Sequence, residues 1–143
     1  LTAKGDLLSR DGSTPVRVAV GANGLELVAN SSATPGIQWG PVVVSPAQIT
    51  ADHNDYAPGY PGVWRLSSDA PWNVTGILAG QDGQALRIVN VGANAITLKH
   101  QNAGSSAANR LICTGAADIA LAADEGAIGW YDLTTARWRL WKL

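Results

Sequence analysis

Phenylalanine and methionine are absent from these 143 residues, cysteine occurs once and histidine twice. A lone cysteine, Cys113, excludes an intrachain disulfide and a thiolate metal cage, so stability has to come from packing or assembly. Charged residues make up 15%, against roughly 25% in ordinary soluble domains, which leaves a largely neutral surface suited to packing on neighbours. The 10 Lys and Arg nearly cancel the 11 Asp and Glu, and a net charge of −1 supplies no field to gather phosphates or anionic lipids. Nucleic acid is therefore not an expected partner. No run approaches the roughly 18 to 20 apolar residues of a membrane span, and the first residues lack the charged-then-apolar layout of a secretory leader. The chain reads as soluble, with no membrane partner. With no methionine and Leu1 first, the start of the gene is expected upstream.

What is present reads as β throughout. The pattern changes near Gly40 and Pro41, which divides the chain into an arm, residues 1–40, and a domain, residues 41–143. In the arm, turn formers at Asp11-Gly12, Ala22-Asn23-Gly24 and Thr34-Pro35-Gly36 separate short alternating pieces at Val16, Val18 and Val20 and at Leu25 and Leu27. Each piece is too brief to bury much alone, so the arm is expected to order by lying on another chain or intertwining with copies of itself. In the domain, strands are expected at Val42 to Val44, Trp64 and Leu66, Leu86 and Ile88, Ile96 and Leu98, Ile119 and Leu121, Ile128 and Trp130, and Trp138 and Leu140. The strands at Leu86 and Ile96, joined by Gly92-Ala93-Asn94, read as a hairpin. Helix is expected to amount to at most one short turn, near Ser45 to Asp52 or near Ala107.

Catalytic constellations are sparse. Asp52, His53 and Asp55 lie together and could hold a metal or move protons, although a polar loop before Tyr56-Ala57-Pro58-Gly59 is the plainer reading. His100 shares an apolar strand face with Leu98 and lies far from the other histidine. No Gly-x-Ser-x-Gly elbow and no phosphate-cradling glycine motif occurs, and Cys113 after Ile112 reads as a small buried hydrophobe. No catalytic residue, metal site or cofactor is therefore assigned.

Aromatics say more: six tryptophans and three tyrosines. Trp64, Trp130 and Trp138 read as core, because an indole wants an apolar bed and a partner for its N–H. An exposed indole stacks on a sugar ring, and Trp72 beside Pro71 and Trp141 beside Lys142 suit that use, with Tyr60 as a further candidate glycan contact.

Several strings carry a resemblance. Lys4-Gly5-Asp6-Leu7-Leu8, then Arg17-Val18-Ala19-Val20-Gly21 and Gly36-Ile37-Gln38-Trp39, resemble a segment common in bacteriophage tail-fibre and other virion proteins. Ile49-Thr50-Ala51-Asp52, Asn54-Asp55-Tyr56-Ala57-Pro58, Trp64-Arg65-Leu66-Ser67-Ser68-Asp69, Asn90-Val91-Gly92, Ile96-Thr97-Leu98, Ala107-Ala108-Asn109-Arg110, Tyr131-Asp132 and Arg137-Trp138-Arg139 are similar to a phage β-domain of the jelly-roll kind. The resemblance implies an all-β protein, with an extended N-terminal arm followed by a jelly-roll-like antiparallel β-sandwich, assembled as a homotrimer on the outer surface of a virion put together in the host cytoplasm.

On that footing the candidate attachment arm comprises Lys4, Asp6, Leu7, Leu8, Val16, Val18, Val20 and Trp39. The last strand carries large apolar groups on both faces, a hazard in a monomer but expected where copies meet around a threefold axis, so Trp130, Trp138, Leu140 and Trp141 are the candidate subunit interface. The leading function is a capsid decoration or cement protein that binds the major capsid protein and stabilises the head. The alternative is a tail-fibre or receptor-binding module, with fibre or baseplate partners, that contacts host surface carbohydrate. A β-sandwich carbohydrate-active enzyme ranks last, because the acidic residues fall in turns and not in pairs across a cleft.

Overall fold

The alternation of apolar and polar residues yields thirteen short strands and no α-helix among the described residues. The computed structural model describes residues 2–23, 25–40, 43–59 and 62–143. Two compact units result, Leu1–Val42 and Val43–Leu143.

The first unit holds β1 (Leu7–Arg10), β2 (Pro15–Val18), β3 (Glu26–Ala29) and β4 (Ile37–Gly40). They pair as two antiparallel hairpins, β1 with β2 and β3 with β4. The short strands expected in an extended arm thus find partners within the chain itself. The β1–β2 turn closes because the Asp11 carboxylate accepts the N–H groups of Ser13 and Thr14 at 3.0 and 2.8 Å. Trp39 lies against Gly21 and donates its Nε1–H to the carbonyl of Ala19 at 2.7 Å. A Cβ on Gly21 would fall 2.6 Å from the indole ring, so the close approach requires glycine.

The second unit is a short stack of coils and not the expected jelly roll. Its strands are β5 (Val43–Val44), β6 (Val63–Leu66), β7 (Trp72–Val74), β8 (Ala85–Asn90), β9 (Ile96–Leu98), β10 (Leu111–Cys113), β11 (Ile119–Leu121), β12 (Gly126–Asp132) and β13 (Arg137–Lys142). β5, β6 and β8 run parallel side by side, and so do β7 and β9. Parallel bridges at Ile49 with Ser68, His53 with Val74 and Tyr56 with Ile77 complete the first turn of the stack. The chain therefore winds in coils of about 20 to 24 residues, a β-solenoid-like arrangement. β12 and β13 close it, with β12 antiparallel to both β8 and β13 and β10 parallel to β13. Two sheets follow, β10-β13-β12-β8-β6-β5 and β11-β9-β7.

The hairpin expected between Leu86 and Leu98 is corrected by this topology. β8 and β9 belong to different sheets, and Gly92-Ala93-Asn94 is a corner between them. A Cβ on Gly92 would lie 3.0 Å from Ser67 Cβ, because one coil rests directly on the previous one. Pairing with the preceding coil wins because it sets Trp64 beside Ile88, Trp72 beside Ile96 and Val74 beside Leu98, making ladders of like bulk that fill the interior. The interior is one cluster running from Ile49 to Leu140, with Trp64, Tyr131 and Trp138 its largest members. Among the described residues helix is limited to the 3₁₀ turns Ala107–Asn109 and Thr114–Ala116, and Ser45 to Asp52 contains none.

Candidate functional site

The residues of the expected attachment arm separate into two sets. Asp6 is buried and inward-turned: its carboxylate accepts the N–H groups of Thr2 at 2.9 Å, Ala3 at 2.8 Å and Val20 at 3.2 Å, and pairs with Arg17 Nε at 2.9 Å. Those backbone donors first, with the Arg17 charge behind them, hold its carboxyl down at about 2. Val18 is buried, Val16 is half-buried and Trp39 is tied to Ala19, so these positions and Asp6 close the hairpins. Lys4, Leu7, Leu8 and Val20 are exposed and remain free for contact.

The polar residues weighed for chemistry are used up by the fold. Asp52 accepts Asn73 N–H at 2.8 Å and Asn73 Nδ2 at 3.0 Å, which joins one coil to the next. Asp55 turns the other way and takes Ser106 N and Oγ, both at 2.9 Å. The carboxyls of both sit below the usual range, the first because of the Asn73 amide and the second because of Asn109 and Ser106. His53 packs its ring on Tyr56, 4.7 Å between centroids. His100 Nδ1 accepts the Cys113 N–H at 3.1 Å, while Asp118 holds the His100 N–H at 2.8 Å and pairs with Lys99. Burial, then the Asp118 charge, pushes the Cys113 thiol up to about 11, which makes it inert at neutral pH. Among the described residues no group of three His, Cys, Asp or Glu could hold a metal ion.

The tryptophans are divided by the sheets. Trp64 and Trp138 are core, Trp138 donating Nε1–H to the Leu78 carbonyl at 2.9 Å and meeting Tyr131 edge to face at 5.4 Å. Trp138 and Leu140 are 0% and 1% exposed, so neither belongs to an accessible interface, because alternation along β13 turns both inward. Trp72 is partly buried against the core and donates Nε1–H to Asp69 Oδ1 at 2.6 Å, so it is less accessible than a free surface indole. Tyr60 lies outside the described residues.

Trp130 and Trp141 point outward from the six-stranded sheet, 37% and 41% exposed, so Trp130 is not the core residue its apolar neighbours suggested. They are diagonal neighbours across β12 and β13, since Trp130 faces Arg139 and Ile128 faces Trp141. The same cross-strand row continues from Ile128 to Arg87, from Arg87 to Val63 and from Val63 to Val43. A groove of about 190 Å³ is bounded by Arg87, Ile128, Trp130 and Trp141, and Trp141 also lines one of about 300 Å³ with His100, Thr114 and Arg139. Sequence reasoning found Trp130 and Trp141 but missed Val43, Val63, Arg87 and Ile128. The signal was the 24-residue step between coils, which places Val63 beside Arg87. A separate recess of about 200 Å³ has Tyr56, Trp64 and Ile77 with Gln81 and Gln84 around it.

Compared with known proteins, the chain matches no family model, no curated protein and no solved structure.

Proposed function

We propose that the chain is a non-enzymatic structural component of a bacteriophage particle, working by self-association and attachment at the virion surface. One observation carries this reading: the polar side chains able to do chemistry are consumed in hydrogen bonds that join coils, while large, partly exposed apolar side chains collect on the outside of one sheet. The resemblance of the Lys4 to Leu8 segment and of the strings that follow it to virion proteins supplies the setting. A decoration or cement protein needs an adherent outer face and exposed apolar contacts such as Leu7 and Leu8, and no reactive group.

The tail-fibre reading is favoured by a specific feature, the parallel winding of β5, β6 and β8, since coils of this kind extend along an axis by adding further coils. Immunogold electron microscopy of intact particles, with antibody against residues 43–143, tests both. Label spread over heads supports decoration, label confined to tail appendages supports the fibre, and particles without label overturn the virion assignment.

A further inference from the structure

We infer that the outer face of the six-stranded sheet docks on the three-stranded sheet of a second copy of this chain, with Trp130 and Trp141 as the side chains withdrawn from water. The inference rests on the proposed self-association and names its surface and partner.

Indole hydrogen bonding sets these two residues apart. Trp39, Trp72 and Trp138 each donate Nε1–H within 2.9 Å, to Ala19 O, Asp69 Oδ1 and Leu78 O, and Trp64 lies in the core. Trp130 and Trp141 have no such partner among the described residues, although each is more than half covered. Half-covered indoles with idle N–H groups are what the centre of an interface offers before its partner arrives.

Extent points to a protein and not a sugar. The row Val43, Val63, Arg87, Ile128 and Trp141 crosses five adjacent strands. At about 4.8 Å per strand this is roughly 19 Å, several times the width of one sugar ring. The two indoles alone leave about 200 Å² open, and Val43 and Ile128 bring the patch towards the roughly 300–600 Å² of functional surface patches.

Charge selects a second copy. Arg65 and Arg87 stand on this face, and neither forms an ion pair among the described residues. By the other sheet, Asp69 accepts only a neutral donor, from Trp72, while Asp52 accepts from Asn73 and feels the charge of Lys99, which is itself paired with Asp118. The outward residues there are Asn73, Thr97 and Ala120, paired in a row of modest side chains on which two indoles can lie flat. Like faces in contact would oppose arginine with arginine, whereas unlike faces pair arginine with aspartate. Such a head-to-tail contact closes into a ring or runs on as a filament.

Sedimentation equilibrium of the full chain at micromolar concentration tests this, comparing wild type with Trp130→Ser/Trp141→Ser and with Arg87→Glu. The expected result is an oligomeric wild type and at least a tenfold weaker association in each variant, with unchanged far-ultraviolet circular dichroism. Arg87 lies wholly outside the core, so it carries the test if the double variant fails to fold. An oligomer unaffected by either change overturns this face assignment while leaving self-association intact. A monomeric wild type overturns self-association itself, and a monomer whose indole emission shifts with dextran gives the face to a glycan.

Discussion

At the scale of single residues, burial decides which tryptophans hold the molecule together. Trp138 is fully enclosed, gives its N–H to Leu78 and stands edge-on to Tyr131. Trp138→Ala is therefore expected to cost about 3 to 5 kcal/mol in urea unfolding, the range for emptying a large aromatic site. Trp138→Phe keeps most of the bulk but leaves the Leu78 carbonyl unpaired, at about 1 to 3 kcal/mol. The alternation Arg137, Trp138, Arg139, Leu140, Trp141 already carries this division, since a strand must turn Trp138 and Trp141 to opposite sides. Which side is interior is fixed by pairing with β12 and β10, and that information lies far away in sequence. Asp6 gives a pH prediction. Its carboxyl is held at about 2 against an ordinary value of 3.8, so its contribution is complete above the ordinary value and is lost as pH falls through about 2. Protection of the Val20 amide from hydrogen exchange should drop across that interval, and Asp6→Asn should remove the pH dependence. An unchanged profile in the variant would show that the Val20 N–H is held by something other than this carboxylate.

At the scale of elements, local patterning and long-range pairing come apart. Period-2 alternation located β6, β8, β9, β11, β12 and β13, because each has one face on the core. Partner choice was not legible from adjacent residues. Gly92-Ala93-Asn94 satisfies the chemistry of a hairpin turn, yet Asn90 bends the chain there into a corner. Its buried Nδ2 donates to the carbonyls of Asn94 at 2.8 Å and Leu121 at 2.9 Å, and its Oδ1 accepts Gly92 N–H at 3.0 Å. Asn90→Ala should leave buried carbonyls unsatisfied and cost about 1 to 3 kcal/mol by denaturant titration. Central β12 depends equally on a missing side chain. A Cβ on Gly129 would run into the Arg139 carbonyl and the Leu140 side chain, and the first of these is paired backbone that cannot turn aside. Gly129→Ala is expected to destabilise by about 1 to 3 kcal/mol or more through overpacking, visible as a lower urea midpoint. A neutral result would mean that β12 and β13 can separate without loss, contrary to their continuous register from Ala127 to Asp132.

At the scale of the whole molecule, the two units differ in what sustains them. The interior cluster is drawn entirely from Ile49 to Leu140, whereas Val18 is the one buried apolar residue among those described before Val43. Two-stranded hairpins are marginal in water, and those of the first unit depend on the Asp11 turn carboxylate, the Asn30 amide, the Asp6 clamp and the Trp39 indole. Opening free energies should then be graded along the chain. In hydrogen exchange at neutral pH, amides of β1 and β3 should exchange fastest, and those of β8 and β12, which are paired on both sides, slowest. The proposed attachment is expected to act on the weaker unit, because Leu7 and Leu8 stay exposed on β1 and any surface that covers them supplies the apolar burial the hairpins lack. Slowed exchange in β1 on the particle, with β8 unchanged, would identify the first unit as the anchoring element. Equal protection of β1 and β8 in the free chain would show instead that the hairpins need no partner, and the anchor would have to be sought on the second unit.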